Sequence, residues 1–314
     1  MPRAIQYAEL GGPEVMHLIE VPPLTPGPDQ VVVQNMAIGV NPFDTKWRAG
    51  IRPGALDKGP RIPGGDSAGR ITAVGSDVTG WHVGDEVIVG NGRGTYADEV
   101  LVAAKHLTAK PAELGWNEAA ALPVPAGTAY QAVCSLDVNG GDVLLVHGAS
   151  GAVGQAVVQF ALAAGARVIA TAGPHNQARV AELGATPVVY GPGLADRVRE
   201  VAPEGVTVAL DCAGSDEALD VSLELVADRS RIGTIVRGAD ADRLGIRAWA
   251  GGSTQPMTEA EHRWRYEGCG AAAELAASGE FSIEIAKVLP LTEAVQAHQL
   301  VEAGALRGKV ILKP

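Results

Sequence analysis

Asp142 to Gly154 reads DVLLVHGASGAVG, and this stretch decides the fold class. Val143 to His147 is a short apolar run rich in valine and leucine, which suits a strand buried on both faces of a parallel sheet. Gly148, Gly151 and Gly154 follow, and then AVVQFALAAG, a helix pattern that stops at Gly165. Strand, glycine turn and helix together predict a dinucleotide site. The glycines let backbone approach a diphosphate, and the helix N-terminus offers unpaired N–H groups and the positive end of its dipole. Ser150, Ala152 and Val153 complete this expected cradle. The alternative is a glycine-rich turn with no ligand.

The second strand, Arg167 to Thr171, selects the nucleotide. An Asp or Glu at its end holds the ribose 2′-OH of NAD. Here the chain reads IATAGPHNQAR from Ile169 to Arg179, and no carboxylate appears before Glu182. Thr171 and Ala172 close the strand, and His175 and Arg179 are positioned to meet a 2′-phosphate, which favours NADP(H) over NAD(H). Their other reading is a solvated helix end.

Outward from this core, 314 residues allow two domains. Hydrophobic residues make up 46% of the chain and aromatics only 4%, so the cores must be built from Val, Leu, Ala and Ile. A formal charge of −11 speaks against nucleic-acid or membrane-surface partners, both polyanionic. No apolar run approaches the roughly 20 residues of a spanning helix. The N-terminus MPRAIQYAELGG has no signal-peptide core. Cys134, Cys212 and Cys269 are widely spaced and support neither a disulfide framework nor a cysteine-rich zinc site. The expectation is a soluble cytoplasmic protein.

Up to about Pro123 the chain reads as β-rich, with runs at Val31–Gln34, Arg70–Val74 and Glu86–Val89 between glycine and proline turns. That spacing suggests a small barrel or sandwich. A helical pattern starts at Trp116. From Pro125 to Ile246 strands and helices alternate. Strands are expected at Pro187–Tyr190, Val206–Asp211 and Arg231–Val236, and helices near Gln177–Leu183, Leu194–Val201 and Glu217–Leu225. This rhythm predicts an α/β fold with a doubly wound parallel sheet. The tail holds a helix to about Ser278, a helix around Glu293–Ala303 and a strand-like GKVILKP.

GVNPFDTKWRAG (Gly39–Gly50), PGGDSAGRITAVGSDVTGWHVGDEV (Pro63–Val87), LPVPAGTAY (Leu122–Tyr130), the glycine fingerprint and RGKVILKP (Arg307–Pro314) resemble the medium-chain dehydrogenase/reductase superfamily. Within it they are similar to the zinc-independent quinone oxidoreductase branch, which includes zeta-crystallin. The resemblance covers nearly the whole chain in the family's order. It implies a GroES-like β-rich domain (1–123), a Rossmann NADP(H)-binding domain (124–246), and a segment (247–314) that completes the Rossmann edge and returns to the first domain. It also implies a nicotinamide in the cleft between the domains, and a homodimer through the far sheet edge near Arg247–Gly252.

The resemblance sets Asn41 and Thr128 beside the nicotinamide, and Tyr190 near the adenosine phosphate. Cys212, Ala213 and Gly214 follow the fourth strand at the end where nucleotides bind, and Val236 and Lys309 join the expected cofactor set. A reactive thiolate at Cys212 needs an electropositive setting, and Asp211 argues the other way. Zinc-dependent relatives carry a Cys where this chain has Asn41, and a His–Glu pair where it has Gly65 and Asp66. A catalytic zinc needs about three converging Cys, His or carboxylate ligands, so a metal-free site is expected.

Without a Lewis acid, alcohol oxidation lacks its usual alkoxide stabiliser. Reduction of a quinone or an enone needs less help, because the developing negative charge is delocalised. Orientation, exclusion of water and one hydrogen bond or proton suffice. Asn41 is the candidate donor, and Lys46 a candidate proton donor or electrostatic stabiliser. Each has a plain alternative: a loop-capping Asn before Pro42, and a solvated lysine on a short helix. Better-known quinone reductases carry tyrosines at the positions of Lys46 and Arg52. Asp44 reads as ordering its own turn. The expected function is zinc-independent, NADPH-dependent reduction of a quinone or α,β-unsaturated carbonyl. The alternatives are a pathway-specific enoyl or polyketide-type reductase, and a non-catalytic NADPH-binding protein of crystallin or sensor type.

Overall fold

The computed structural model describes residues 1–51, 59–249, 253, 255–304 and 306–314. The chain divides into two compact units, Met1–Val124 with Cys269–Pro314, and Pro125–Gly268.

The first unit opens with strands β1 (Arg3–Gln6), β2 (His17–Glu20) and β3 (Gln30–Val40), followed by helix α1 (Pro42–Arg48). Then come β4 (Asp66–Val74), β5 (Glu86–Val89), β6 (Glu99–Ala103), β7 (Leu107–Ala109), α2 (Trp116–Ala121) and the start of α3 (Pro123–Ser135). The chain then builds the second unit. These are β8 (Val143–His147), α4 (Ala152–Ala163), β9 (Arg167–Ala172), α5 (Gln177–Glu182), β10 (Thr186–Val189) and α6 (Leu194–Val201). They continue as β11 (Val208–Asp211), α7 (Asp216–Leu225), β12 (Ile232–Thr234), α8 (Ala241–Leu244), β13 (Arg247–Ala248) and the first half of α9 (Glu259–Ala277), which passes into the first unit at Cys269. Strand β14 (Ile285–Pro290), helix α10 (Ala294–Glu302) and strand β15 (Lys309–Lys313) return to the first unit.

The second unit is the expected doubly wound sheet. Its strands run β10-β9-β8-β11-β12-β13, and every pairing is parallel. The order reverses between β8 and β11, the switch point beyond whose strand ends such sheets bind ligands. All five residues of β8 are buried, as its unbroken apolar run requires. Leu145, Ile169, Val188, Ala209 and Ile232 carry one core face, against Leu194, Val198 and Leu219 of the helices. Strand β10 ends at Val189, one residue earlier than expected, which leaves Tyr190 outside it. Pro187 is tolerated because β10 is the sheet edge.

The first unit carries the larger sheet, β14-β15-β3-β4-β5-β7, with β6 also on β3. Its pairings are antiparallel except β14 with β15. Strand β3 is far longer than the expected Val31–Gln34. Register shifts at Val32/Val33 and Asn35/Ala37 break the alternation that marks a strand in sequence. Asn35 sits buried inside it, donating to the carbonyls of Thr95 and Ala97. No helix among the described residues is long and apolar enough to cross a membrane. Strand β13 lies at the sheet edge, and Ala250–Gly252 of the expected dimer edge lie outside the described residues, as does Arg52.

Candidate active site

In the second unit the expected cofactor residues gather at the carboxyl ends of β8, β9 and β11. Gly148 takes φ +74°, and a Cβ on it would stand 3.0 Å from the carbonyl carbon of Cys212. A Cβ on Gly154 would lie 2.3 Å from the Gly148 oxygen, so only glycine lets α4 start this close to the strand. Gly151 precedes the first helical residue, and no side chain among the described residues caps α4. The N–H groups of Ala152 and Val153 in the first turn are therefore left for an outside acceptor. Ser150 sits in this turn, its hydroxyl accepting from Asn176 at 3.3 Å.

Asp211, which the sequence reading used only as a neighbour of Cys212, is the organiser of the opposite wall. Its Oδ1 accepts from the N–H groups of Ala213 (2.9 Å) and Gly214 (2.7 Å), and its Oδ2 from the Thr234 hydroxyl (2.8 Å). That fixes the turn Cys212–Gly214, against which Val236 packs. Burial, then Asp211, pushes the Cys212 thiol well above its ordinary range, so it is no thiolate nucleophile. His147, which ends β8, is 1% exposed. Its Nδ1 lies 3.3 Å from the Thr171 hydroxyl, and burial holds the ring neutral, with its pKa lowered to about 4.

At the end of β9, Ala172 leads through Gly173 into a short turn, Pro174–Asn176, that exposes His175. Tyr190 is exposed, with its hydroxyl beside Gly173. Arg179, on α5, donates to Gln155 of α4 at 3.5 Å and pairs with Glu182 at 3.6 Å. Thr128 is buried on α3.

In the first unit, Asn41 and Lys309 come together although 268 residues separate them. Val310 pairs with Val40, and Gly39 with Asp66, so this register brings Lys309, Asn41 and Asp66 to one point. A Cβ on Gly39 would lie 3.0 Å from Lys309 Cε and 2.4 Å from the Ala120 carbonyl. Its absence gives the lysine stem a path across the strand. The ammonium donates to Asn41 Oδ1 and, at 3.2 Å, to Asp66 Oδ2. Asn41 Nδ2 donates to Asp66 Oδ2 at 2.9 Å, and the Val124 N–H does so at 3.1 Å. The amide oxygen thus faces the cation and its nitrogen the carboxylate, which among the described residues leaves one N–H on Asn41 and one on Lys309. Lys46, half-buried on α1, has no side-chain hydrogen bond or ion pair among the described residues. No group of three His, Cys, Asp or Glu side chains suited to a metal occurs among the described residues. An amide and a carboxylate already gathered round an ammonium do not fit a catalytic zinc.

Asp44 does order its own turn. It accepts from the Asn41 N–H at 2.9 Å in a capping box. It also accepts from the Tyr96 hydroxyl at 3.2 Å. Burial lifts its pKa to about 7. An acid raised on folding binds its proton more tightly in the folded state. Its contribution is therefore favourable at low pH and lost as pH climbs from about 4 to about 7. Asp44→Asn keeps an acceptor for the Asn41 N–H and carries no charge. Its Tm relative to wild type is expected to rise by several degrees between pH 5 and pH 8, read by calorimetry. A constant difference would contradict this assignment.

Family models match two stretches, "Alcohol dehydrogenase GroES-like domain" over residues 27–112 and "Zinc-binding dehydrogenase" over residues 183–312. A quinone oxidoreductase of Pseudomonas aeruginosa is 33% identical over 335 residues, with 100% of both chains covered. The chain belongs to the quinone oxidoreductases of the medium-chain dehydrogenase/reductase superfamily. Among solved structures of this superfamily, Escherichia coli quinone oxidoreductase complexed with NADPH aligns with a TM-score of 0.85 and 26% identity, over 99% of this chain and 100% of that one. The CurK enoyl reductase aligns with a TM-score of 0.85 and 25% identity, over 99% of each. Family membership makes the chain an oxidoreductase.

Proposed function

We propose that this chain is an NADPH-dependent, metal-independent oxidoreductase that reduces a quinone or an α,β-unsaturated carbonyl. The observation that carries the reading is the glycine turn at the β8/β11 switch point, with no carboxylate at the end of β9. The first turn of α4 suits a diphosphate. The turn held by Asp211 brings backbone to the same crevice, and His175 and Arg179 follow the strand that selects the 2′ substituent. When bound, NADPH supplies the hydride. On the protein side, the spare N–H of Asn41 would orient the acceptor oxygen, and the Lys309 charge behind it favours negative charge developing there.

The relative from Pseudomonas aeruginosa carries the name quinone oxidoreductase, and the Escherichia coli structure holds NADPH. Both support this reading. The likeness to an enoyl reductase supports a second one, a pathway-specific reductase of enoyl thioesters, and an acceptor panel separates the two. Arg179→Ala tests the cofactor assignment. A charge-assisted bond to phosphate contributes roughly 1.5–3 kcal/mol, so NADPH should bind about tenfold or more weakly while NADH binding stays the same. Equal loss for both nucleotides, measured by fluorescence titration, would show that Arg179 does not read the 2′-phosphate.

A further inference from the structure

The capping carboxylate of α1 is one end of a buried chain. Asp44 Oδ2 lies 3.2 Å from the Tyr96 hydroxyl, and that hydroxyl lies 3.2 Å from His298 Nε2 on α10. The rings of Tyr96 and His298 meet edge to face, 5.6 Å between centroids. Tyr96 and His298 are fully buried and Asp44 nearly so. His298 Nδ1 has no partner among the described residues. Capping α1 needs only the carboxylate and the Asn41 N–H. It gives no reason for a phenol and an imidazole in line behind it.

We propose that His298, Tyr96 and Asp44 form a proton relay that loads the Asp44 carboxyl, beside Asn41, with the proton taken up by the reduced acceptor. The proposal rests on the reductase reading above. With Asp44 ionised, Tyr96 donates to it and His298 donates from Nε2 to the Tyr96 oxygen. A proton arriving at His298 Nδ1 forms a new N–H bond there. The Nε2–H bond breaks as its proton passes to the Tyr96 oxygen, and the former hydroxyl proton passes to Asp44 Oδ2. Asp44 ends as a neutral acid, Tyr96 is again a neutral phenol, and His298 is again neutral with its proton on the other nitrogen. When the reduced acceptor's oxygen takes the proton, the Asp44 O–H bond breaks as the new O–H bond forms, and the carboxylate is restored.

Burial enforces this concerted path. It raises the Tyr96 hydroxyl well above its ordinary range. It lowers the His298 pKa to about 3, and the Arg48 cation acts in the same direction. Neither group becomes charged near neutral pH, while Asp44 titrates there. The other charges facing Asp44 and the chain are Asp66 of β4, Lys309 of β15, Arg48 with its partner Glu302 of α10, and Arg61 beside Tyr7.

Nitrogen NMR of histidine-labelled full-length protein without cofactor tests the relay. His298 should stay neutral above about pH 5. Its proton should sit on Nε2 above about pH 7 and move to Nδ1 below it. Tyr96→Phe should freeze the tautomer. Asp44→Asn should do the same while keeping the cap, should the tyrosine variant fail to fold. A single tautomer on both sides of about pH 7, or an imidazolium signal above about pH 5, overturns the proposal. In turnover, Tyr96→Phe should lower kcat by about tenfold to a hundredfold and leave the KM for NADPH unchanged. An unchanged kcat and pH profile overturns it. A wild type silent with every acceptor but showing the tautomer switch sinks the reductase reading and not the relay. An active wild type without the switch sinks the relay alone.

Discussion

Lys309→Met is expected to lower stability by about 3–5 kcal/mol, the cost of stripping a buried ion pair of one partner. In a chain of this size that is a fall in Tm on the order of 10 °C. The Lys309 side chain is 3% exposed and the Asp66 side chain 0%. Asp66 Oδ1 already lacks a partner among the described residues. Without the ammonium the carboxylate stays buried, held among the described residues by the Asn41 amide and the Val124 N–H. The Asn41 oxygen loses its donor as well, so the spare amide N–H is no longer held in place. Adding Asp66→Asn removes the uncompensated charge and should recover most of the loss. Calorimetry on the single and double variants checks this, and a single variant that melts with wild type would mean that the pair carries no net stability.

Gly154→Ala should weaken NADPH binding by tenfold or more and cost about 1–3 kcal/mol of stability. The added Cβ would stand 2.3 Å from the Gly148 oxygen and 2.7 Å from Ala149 Cα, both backbone. No side-chain rotation relieves such contacts, so α4 must retreat from the turn and take its first N–H groups with it. Gly151→Ala is the control for packing, since among the described residues its Cβ would meet just the Gly148 oxygen, at an ordinary 3.5 Å. That variant should melt close to wild type. Titration and thermal melts read both, and a Gly154→Ala protein that binds NADPH normally would contradict the reading of the turn.

The sequence carried the second unit almost completely, because each of its signals is local. VLLVH is a continuous apolar run, the glycines follow it directly, and each strand or helix shows its pattern within its own residues. In the first unit the strand at Glu86–Val89, the helix from Trp116, the tail helix and the last strand were legible, but not the strand pairing. Strand β3 carries two register shifts and a buried Asn35, and β1 and β2 are four residues each. Helix α3 begins PVPAG, where two prolines and a glycine weaken the helical pattern, although proline is tolerated in a first helical turn.

The site divides along the same line. Gly148 to Gly154 and the missing carboxylate after β9 could be read from neighbours in sequence. Asn41, Asp66 and Lys309 could not be joined, because β15 reaches β3 only after the whole second unit has intervened. Asp44 was legible as ordering its own turn. Its continuation to Tyr96 and His298 depends on α10 packing back onto α1, which no local pattern encodes.

The most direct test of the reductase assignment is anaerobic oxidation of NADPH, followed by nicotinamide absorbance, against quinones, enones and enoyl thioesters, with NADH in parallel. The account expects stoichiometric consumption with a quinone or an enone, and NADPH used in preference to NADH. NADPH that binds but passes hydride to none of these acceptors would contradict it and turn attention to a non-catalytic role.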